Sequence, residues 1–179
     1  VNLSASDTNG SEVISLGDNV VLRAYHTGHS GMLGSFYNGS GWVDLVATGN
    51  IAGTGWHHVA FTIDDASNTQ VLYLDGVAVA TASSTSSISY ALGANTTIGA
   101  HGNGGALHDF NGLIDDARVY TRALSTTEIQ ALANAPAESS DSDSLAITVN
   151  PVNDAPTFGT GDGIVTTDFS GLQDELESI

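Results

Sequence analysis

Apolar residues along this chain come in short runs, each closed by glycine, asparagine, aspartate or serine. The turn Gly17-Asp18-Asn19 opens a run over residues 20–25. Glycine and serine at 28–31 lead to a second run over 32–37, which ends at Asn38-Gly39, a strong hairpin signal. A third covers 42–47 and closes on Thr48-Gly49-Asn50. Residues 56–64 alternate, with His57, Val59, Phe61 and Ile63 on one face and His58, Ala60 and Thr62 on the other. Residues 70–74 and 77–82 flank Asp75-Gly76, a second hairpin signal. The Ser/Thr-rich stretch 83–89 reads as a loop or edge strand, and runs over 95–100 and 112–120 complete the set. Short strands and turns at this spacing predict an all-β fold, an antiparallel sandwich or barrel.

One segment carries a helical pattern. Ser125-Thr126-Thr127-Glu128 is a capping box, and Ile129, Leu132 and Ala133 then share a face. This predicts one short helix near 125–133, ending by Asn134-Ala135-Pro136. Beyond it the composition changes. Residues 137–144 are rich in Ser, Asp and Glu and read as a linker. Residues 145–149 are strand-like, Asn153-Asp154-Ala155-Pro156 is a junction, and 158–179 are Gly/Asp-rich and too short to fold alone. The chain therefore divides into a sandwich (1–135), a linker with one strand (136–156) and the start of a following module (157–179).

Charge narrows the partners. Twenty carboxylates face three basic residues, Arg23, Arg118 and Arg122, for a formal net charge of −17. That balance argues against nucleic acid, whose phosphates need a basic patch, and against an anionic membrane surface. It favours solubility and affinity for cations. Fifteen of the acids are aspartate, the residue calcium sites use most in loops; a solvated acidic surface is the other reading. There is no cysteine, so disulfides, thiolate zinc sites and cysteine nucleophiles are excluded. No apolar run is long enough to span a membrane. The start at Val1-Asn2-Leu3, without Met or a leader pattern, reads as a piece of a longer chain with any export signal upstream.

The segment Gly55-Trp56-His57-His58-Val59-Ala60-Phe61-Thr62, then Leu72-Tyr73-Leu74-Asp75-Gly76, then Ile98-Gly99, resembles laminin-G-like and pentraxin-type sandwich domains of bacterial surface proteins, within the concanavalin-A-like class. The most specific match runs from Phe110 through Gly112, Ile114-Asp115-Asp116, Arg118, Tyr120, Arg122 and Leu124-Ser125 to Glu128-Ile129. The resemblance covers roughly residues 12–133. It implies a jelly-roll sandwich of two antiparallel sheets, with Trp56 and Tyr73 in the core and the helix covering one end. It also implies calcium and carbohydrate as ligands, and opening strands that are missing here. The stretch 145–156 is similar to the last strand and junction of cadherin-like or Ig-like adhesin repeats. The stretch 157–168 is similar to Gly/Asp-rich repeats thought to build propellers.

Candidate chemistry follows. Glycoside hydrolysis needs two carboxylates across a cleft, but the five glutamates (12, 128, 138, 175, 177) form no such motif. No nucleophile elbow is present. Asp115 and Asp116 sit where similar domains hold a structural ion, so calcium is expected there, with a loop such as 7–10 completing the shell; a hydrogen-bonding role toward Arg118 or Arg122 is the alternative. The six histidines show no metal-binding cluster in the sequence. Sugar recognition needs an aromatic platform beside polar groups, and Tyr37, Trp42, His101, Asn103, His108 and Asp109 are the candidates. The expectation is a non-catalytic, calcium-dependent, carbohydrate-binding adhesion module of a secreted multidomain surface protein. Its partners would be glycans or a host or matrix surface and the neighbouring domains. A ligand-free spacer and a glycoside hydrolase-like domain are the alternatives.

Overall fold

The computed structural model describes residues 1–6, 9–105 and 107–135. Asp7, Thr8, the expected linker and the expected following module lie outside the described residues. Ten strands and one helix follow in chain order: β1 (Asn2–Leu3), β2 (Ser11–Leu16), β3 (Val20–His26), β4 (Gly31–Tyr37), β5 (Trp42–Thr48), β6 (Val59–Asp64), β7 (Thr69–Leu74), β8 (Val77–Ser83), β9 (Thr96–Ile98), β10 (Gly112–Leu113) and α1 (Thr126–Ala133). They form a five-stranded sheet in the order β5-β4-β3-β2-β9, a three-stranded sheet β6-β7-β8 and a pair β1-β10. The pairings are all antiparallel. This is the antiparallel sandwich with one short helix that the strand and capping patterns predict, and it is consistent with the jelly roll that the resemblance implies.

The core lies between the sheets. Leu22 and Ala24 of β3, Met32 of β4, Leu45 and Ala47 of β5 and Val13 of β2 meet Leu72 of β7, with Phe61 and Leu74 packed alongside. Because side chains alternate along a strand, the intervening residues of the five-stranded sheet point outward. Gly34 lets the sheets approach: a Cβ there would lie 2.5 Å from the Phe61 ring. On the far face of the three-stranded sheet, Tyr73, Leu124 and Ile129 form a second cluster under α1. The capping box is present as the sequence predicts, with Ser125 Oγ accepting from Glu128 N. Arg122 clamps the Glu128 carboxylate from two nitrogens, at 2.6 and 3.0 Å.

Three expectations change. Trp56 is 55% exposed, not core; it precedes β6 and makes only an isolated bridge with Asn2. The Trp-His-His motif acts instead through its histidines: His57 Nδ1 lies 2.8 Å from Asp75 Oδ2, and the His58 backbone N–H donates to Asp75 Oδ1. These bonds lower the Asp75 pKa, against the upward push of its partial burial. The tie holds the left-handed Asp75-Gly76 turn (φ 51° and 77°) to the start of β6. The strand expected over 112–120 shortens to Gly112–Leu113. Finally, two strands precede residue 20, where the sequence reading placed none.

Two outcomes follow. Leu72→Ala should cost about 2–5 kcal/mol in urea unfolding, whereas Trp56→Ala should stay within about 0.5 kcal/mol. Arg122, then the Ser125 N–H and hydroxyl, hold the Glu128 pKa at about 2 against an ordinary 4.5. A depressed carboxylate pKa contributes stability that is present above the unfolded value and lost as pH falls through the folded one. The melting-temperature gap between the wild type and Glu128→Gln should therefore close as pH falls from 4.5 to 2.

Candidate functional site

The outward face of the five-stranded sheet is polar by register. β2 and β3 pair Glu12 with Arg23 and Ser15 with Val21, β3 and β4 pair Val21 with Ser35, and β4 and β5 pair Ser35 with Asp44 and Tyr37 with Trp42. The register of β2 slips between Glu12 and Ile14. Val13 is the extra residue, and such a bulge re-aims the side chains beside it. Without it, Glu12 and Ser15, three positions apart, would point to opposite faces.

This face floors a cleft of about 360 Å³. Arg23, His26, Ser35, Asp44 and Trp42 come from the strands, and Asp18, His29, His101, Asn103 and His108 from the turns and loops around it. The imidazoles run in a row across the opening. His29 and His26 have ring centroids 4.9 Å apart, His26 and His108 6.1 Å, and His108 and His101 4.9 Å. An aspartate closes each end: His29 Nε2 is 3.6 Å from Asp44 Oδ2, and His101 Nδ1 is 3.5 Å from Asp18 Oδ1. Burial, then the Arg23 charge, lowers the pKa of His26 and takes that of His108 down to about 4. The middle of the row is therefore neutral near pH 7.

Local backbone explains the placement. His26 and His29 bracket a single 3-10 turn, Thr27–His29, that ends on left-handed Ser30 (φ 54°). Asp18 sits in the β2–β3 turn, where Gly17 and Asp18 both have positive φ (64° and 56°), the mirror-image turn that matches hairpin twist. Asn19 is 1% exposed and locks that turn: its Nδ2 donates to the Gly17 and Gly93 carbonyls, and its Oδ1 accepts from Leu92 N. The loop carrying His101 packs against the same turn; a Cβ on Gly102 would meet Ser15 Oγ at 2.3 Å and Asp18 N at 2.6 Å. His108 is held to β2 by the bond from Glu12 N to its carbonyl.

Under the cleft, Arg23 Nε donates to Glu12 Oε2 at 3.0 Å, and the Glu12 side chain is fully buried. Burial raises the Glu12 pKa, opposed by Arg23. Glu12 Oε1 and Asp18 Oδ1 have no hydrogen-bond partner.

The candidates named from sequence divide three ways. Trp42, His101, Asn103 and His108 line the cleft. Tyr37 stands beside it, edge-on to Trp42 with centroids 5.9 Å apart. Asp109 is exposed and is not among the lining residues. Asp115 and Asp116 lie elsewhere, both exposed. Asp115 Oδ1 accepts from Asp116 N, and Asp116 Oδ1 accepts from Arg118. Among the described residues, no further Asp, Glu or His ligand atom converges on them. Calcium takes about six to eight oxygens, and Asp7 and Thr8 of the loop expected to complete such a shell lie outside the described residues. The sequence reading missed Glu12, Asp18, Arg23, His26, His29, Ser35 and Asp44. The signal available was polar residues at alternate positions of apolar strands, as in Arg23, Ser35 and Asp44.

Comparison with known proteins agrees with this architecture. A laminin-G-type family model, described as the concanavalin A-like lectin/glucanases superfamily, matches residues 1–130. A native heptameric SAP-like pentraxin from Limulus polyphemus superposes with a TM-score of 0.56 at 17% identity, over 73% of this chain and 66% of its own. A candidate carbohydrate-binding protein from Bacteroides ovatus superposes with a TM-score of 0.53 at 17% identity, over 72% of this chain and 37% of its own. The chain thus spans less than two thirds of either. No curated protein matches the sequence.

Asn19 offers a check on the geometry of the site. Asn19→Ala takes the side-chain partner from two carbonyls, Gly17 and Gly93, and one amide, Leu92, and should cost about 1–3 kcal/mol. Hydrogen exchange should report faster exchange at Leu92 N, whose acceptor is removed, while the β6–β7 ladder stays protected.

Proposed function

Since the chain belongs to the concanavalin A-like lectin/glucanases superfamily, we propose that it is a non-catalytic carbohydrate-binding module whose sugar lies in the cleft on the outward face of the five-stranded sheet. One observation carries this reading: Trp42 is 42% exposed at a cleft lined by polar side chains. An indole face suits the C–H face of a sugar ring, and a few convergent polar groups fix its hydroxyls. Here those groups are Asp44, Asn103 and the neutral imidazoles, which donate from one nitrogen and accept at the other. Ser35 Oγ donates to Asp44 Oδ1 and steadies that carboxylate. The Bacteroides protein of the same fold supports the ligand class.

Hydrolysis is not part of the reading. It needs two carboxylates across a cleft; the Glu12 side chain is sealed from the cleft and tied to Arg23, and Asp18 and Asp44, which line it, each face a histidine, at 3.5 and 3.6 Å. The same reading places the module in an exported, multidomain surface protein, supported by the acidic, cysteine-free composition and the adhesin-like stretch 145–156.

A glycan array with the full chain, followed by calorimetric titration of the best hit, tests this. Trp42→Ala should weaken binding at least about tenfold, equivalent to ~1.4 kcal/mol, while Trp56→Ala should bind like the wild type. An array without a hit, or a Trp42→Ala variant that binds normally, would favour a ligand-free spacer.

A further inference from the structure

We propose that Glu12, Asp18 and His101 form a binding site for one divalent transition-metal ion of the zinc class, at the floor of the cleft. The three come from different elements: the bulged strand β2, the β2–β3 turn and the loop after β9. Their ligand atoms nevertheless all lie within 4.8 Å of one another. None of the three needs to be moved by the backbone to meet the others.

The three ligand atoms at this meeting point are acceptors, with the Ser15 hydroxyl beside the Glu12 carboxylate. Glu12 Oε1 belongs to a side chain with no exposed surface and has no partner. Asp18 Oδ1 is buried and also lacks a partner. His101 Nδ1 accepts a 3.2 Å bond from Asn103 N, so this nitrogen carries a lone pair rather than a proton. At 3.5 Å from Asp18 Oδ1 it is too distant for a sound hydrogen bond. A buried acceptor without a donor is costly, and several aimed at one point describe a cation's coordination shell.

The donor set selects the ion. Calcium takes oxygens, whereas one imidazole nitrogen with two carboxylates suits zinc and its neighbours. Zinc bonds of about 2.0–2.2 Å require the side chains to close by about an ångström. Asp18 and His101, which stand on turns, can do this, and the metal would take the place of the Asn103 bond at Nδ1. Arg23 fixes the Glu12 carboxylate through Oε2, an outer-shell role, while its charge opposes the cation. Two carboxylates against one guanidinium leave the pocket with an uncompensated negative charge. Three protein ligands leave a coordination position open. Asp18 and His101 both line the cleft, so that position faces it.

The test uses the full chain stripped with EDTA and titrated with zinc chloride by calorimetry, with cobalt(II) absorption as a second readout of ligand geometry. One equivalent should bind, and calcium at the same concentrations should bind at least tenfold more weakly. Glu12→Gln, Asp18→Asn and His101→Ala should each lose at least about tenfold in zinc affinity, whereas Asp115→Asn should keep it. Circular dichroism identifies any variant that fails to fold. Asp18→Asn and His101→Ala keep the test decisive if Glu12→Gln, which disturbs the Arg23 pair, unfolds. No zinc binding, binding unchanged in folded Asp18→Asn and His101→Ala, or a preference for calcium would overturn the site. Glycan binding by the EDTA-stripped wild-type chain, with zinc binding lost in folded Glu12→Gln, whose side chain is sealed from the cleft, would separate this site from the sugar reading.

Discussion

The outward face of the large sheet is built around one buried ion pair, Glu12 with Arg23. A carboxylate taken out of water is expensive, and its partner's attraction offsets the cost only when the remaining acceptors are also satisfied. Arg23 satisfies one oxygen and leaves the other without a donor. Several features of the sheet follow from keeping this pair in place. The bulge at Val13 turns Glu12 toward Arg23 while Val13 and Ile14 still pack with the core. The loops after β9 come across the pair, one through the Glu12 N to His108 O bond and one through Gly102 against Ser15 and Asp18.

The same sheet serves two purposes on its two faces. Its inward face supplies stability, through Leu22, Met32, Leu45 and Ala47 against Leu72 and Phe61. The outward face holds Arg23, Ser35, Asp44 and Trp42 at the alternate positions of the same strands. The division lets polar residues that would weaken a core sit on rigid backbone, with their spacing fixed by strand register rather than by loops. Gly34 marks how tightly the inward face is used, since its missing side chain is the space the Phe61 ring fills.

How much of this could be read from the sequence depended on periodicity. Alternation and turn residues located β3 to β8 and the helix, and Asp75-Gly76 and Gly17-Asp18 are left-handed turns as such dipeptides imply. β2 was missed because Ser11-Glu12-Val13-Ile14-Ser15-Leu16 contains the bulge, which breaks the period-two pattern at Val13. Trp56 was misplaced because its motif suggested a core indole, whereas the residue precedes the strand and only its histidine neighbours bind the Asp75 turn. Four cleft residues, Trp42, His101, Asn103 and His108, were identifiable by type and loop position. The pairing of Glu12 with Arg23, and of Asp18 with His101, was not, because contacts across 11 and 83 positions arise from topology alone.

Charge placement bears on what the cleft can hold. The chain carries three arginines; Arg118 and Arg122 are spent on Asp116 and Glu128, at exposed sites away from the cleft. Arg23 alone among them reaches the cleft, and its Nε faces Glu12. Its field, with burial, keeps His26 and His108 uncharged. The groups left facing the cleft are two aspartates at its ends, an asparagine, a serine and four imidazoles, of which His26 and His108 are uncharged. An anionic ligand would meet the Asp18 and Asp44 carboxylates with no free cation to offset them, in a chain already at −17. A neutral polyol can donate its hydroxyls to those carboxylates and exchange hydrogen bonds with the imidazoles, while Trp42 covers its apolar face. The electrostatics of the cleft thus favour an uncharged sugar over an acidic one, by the same acceptor excess that favours a cation at its floor.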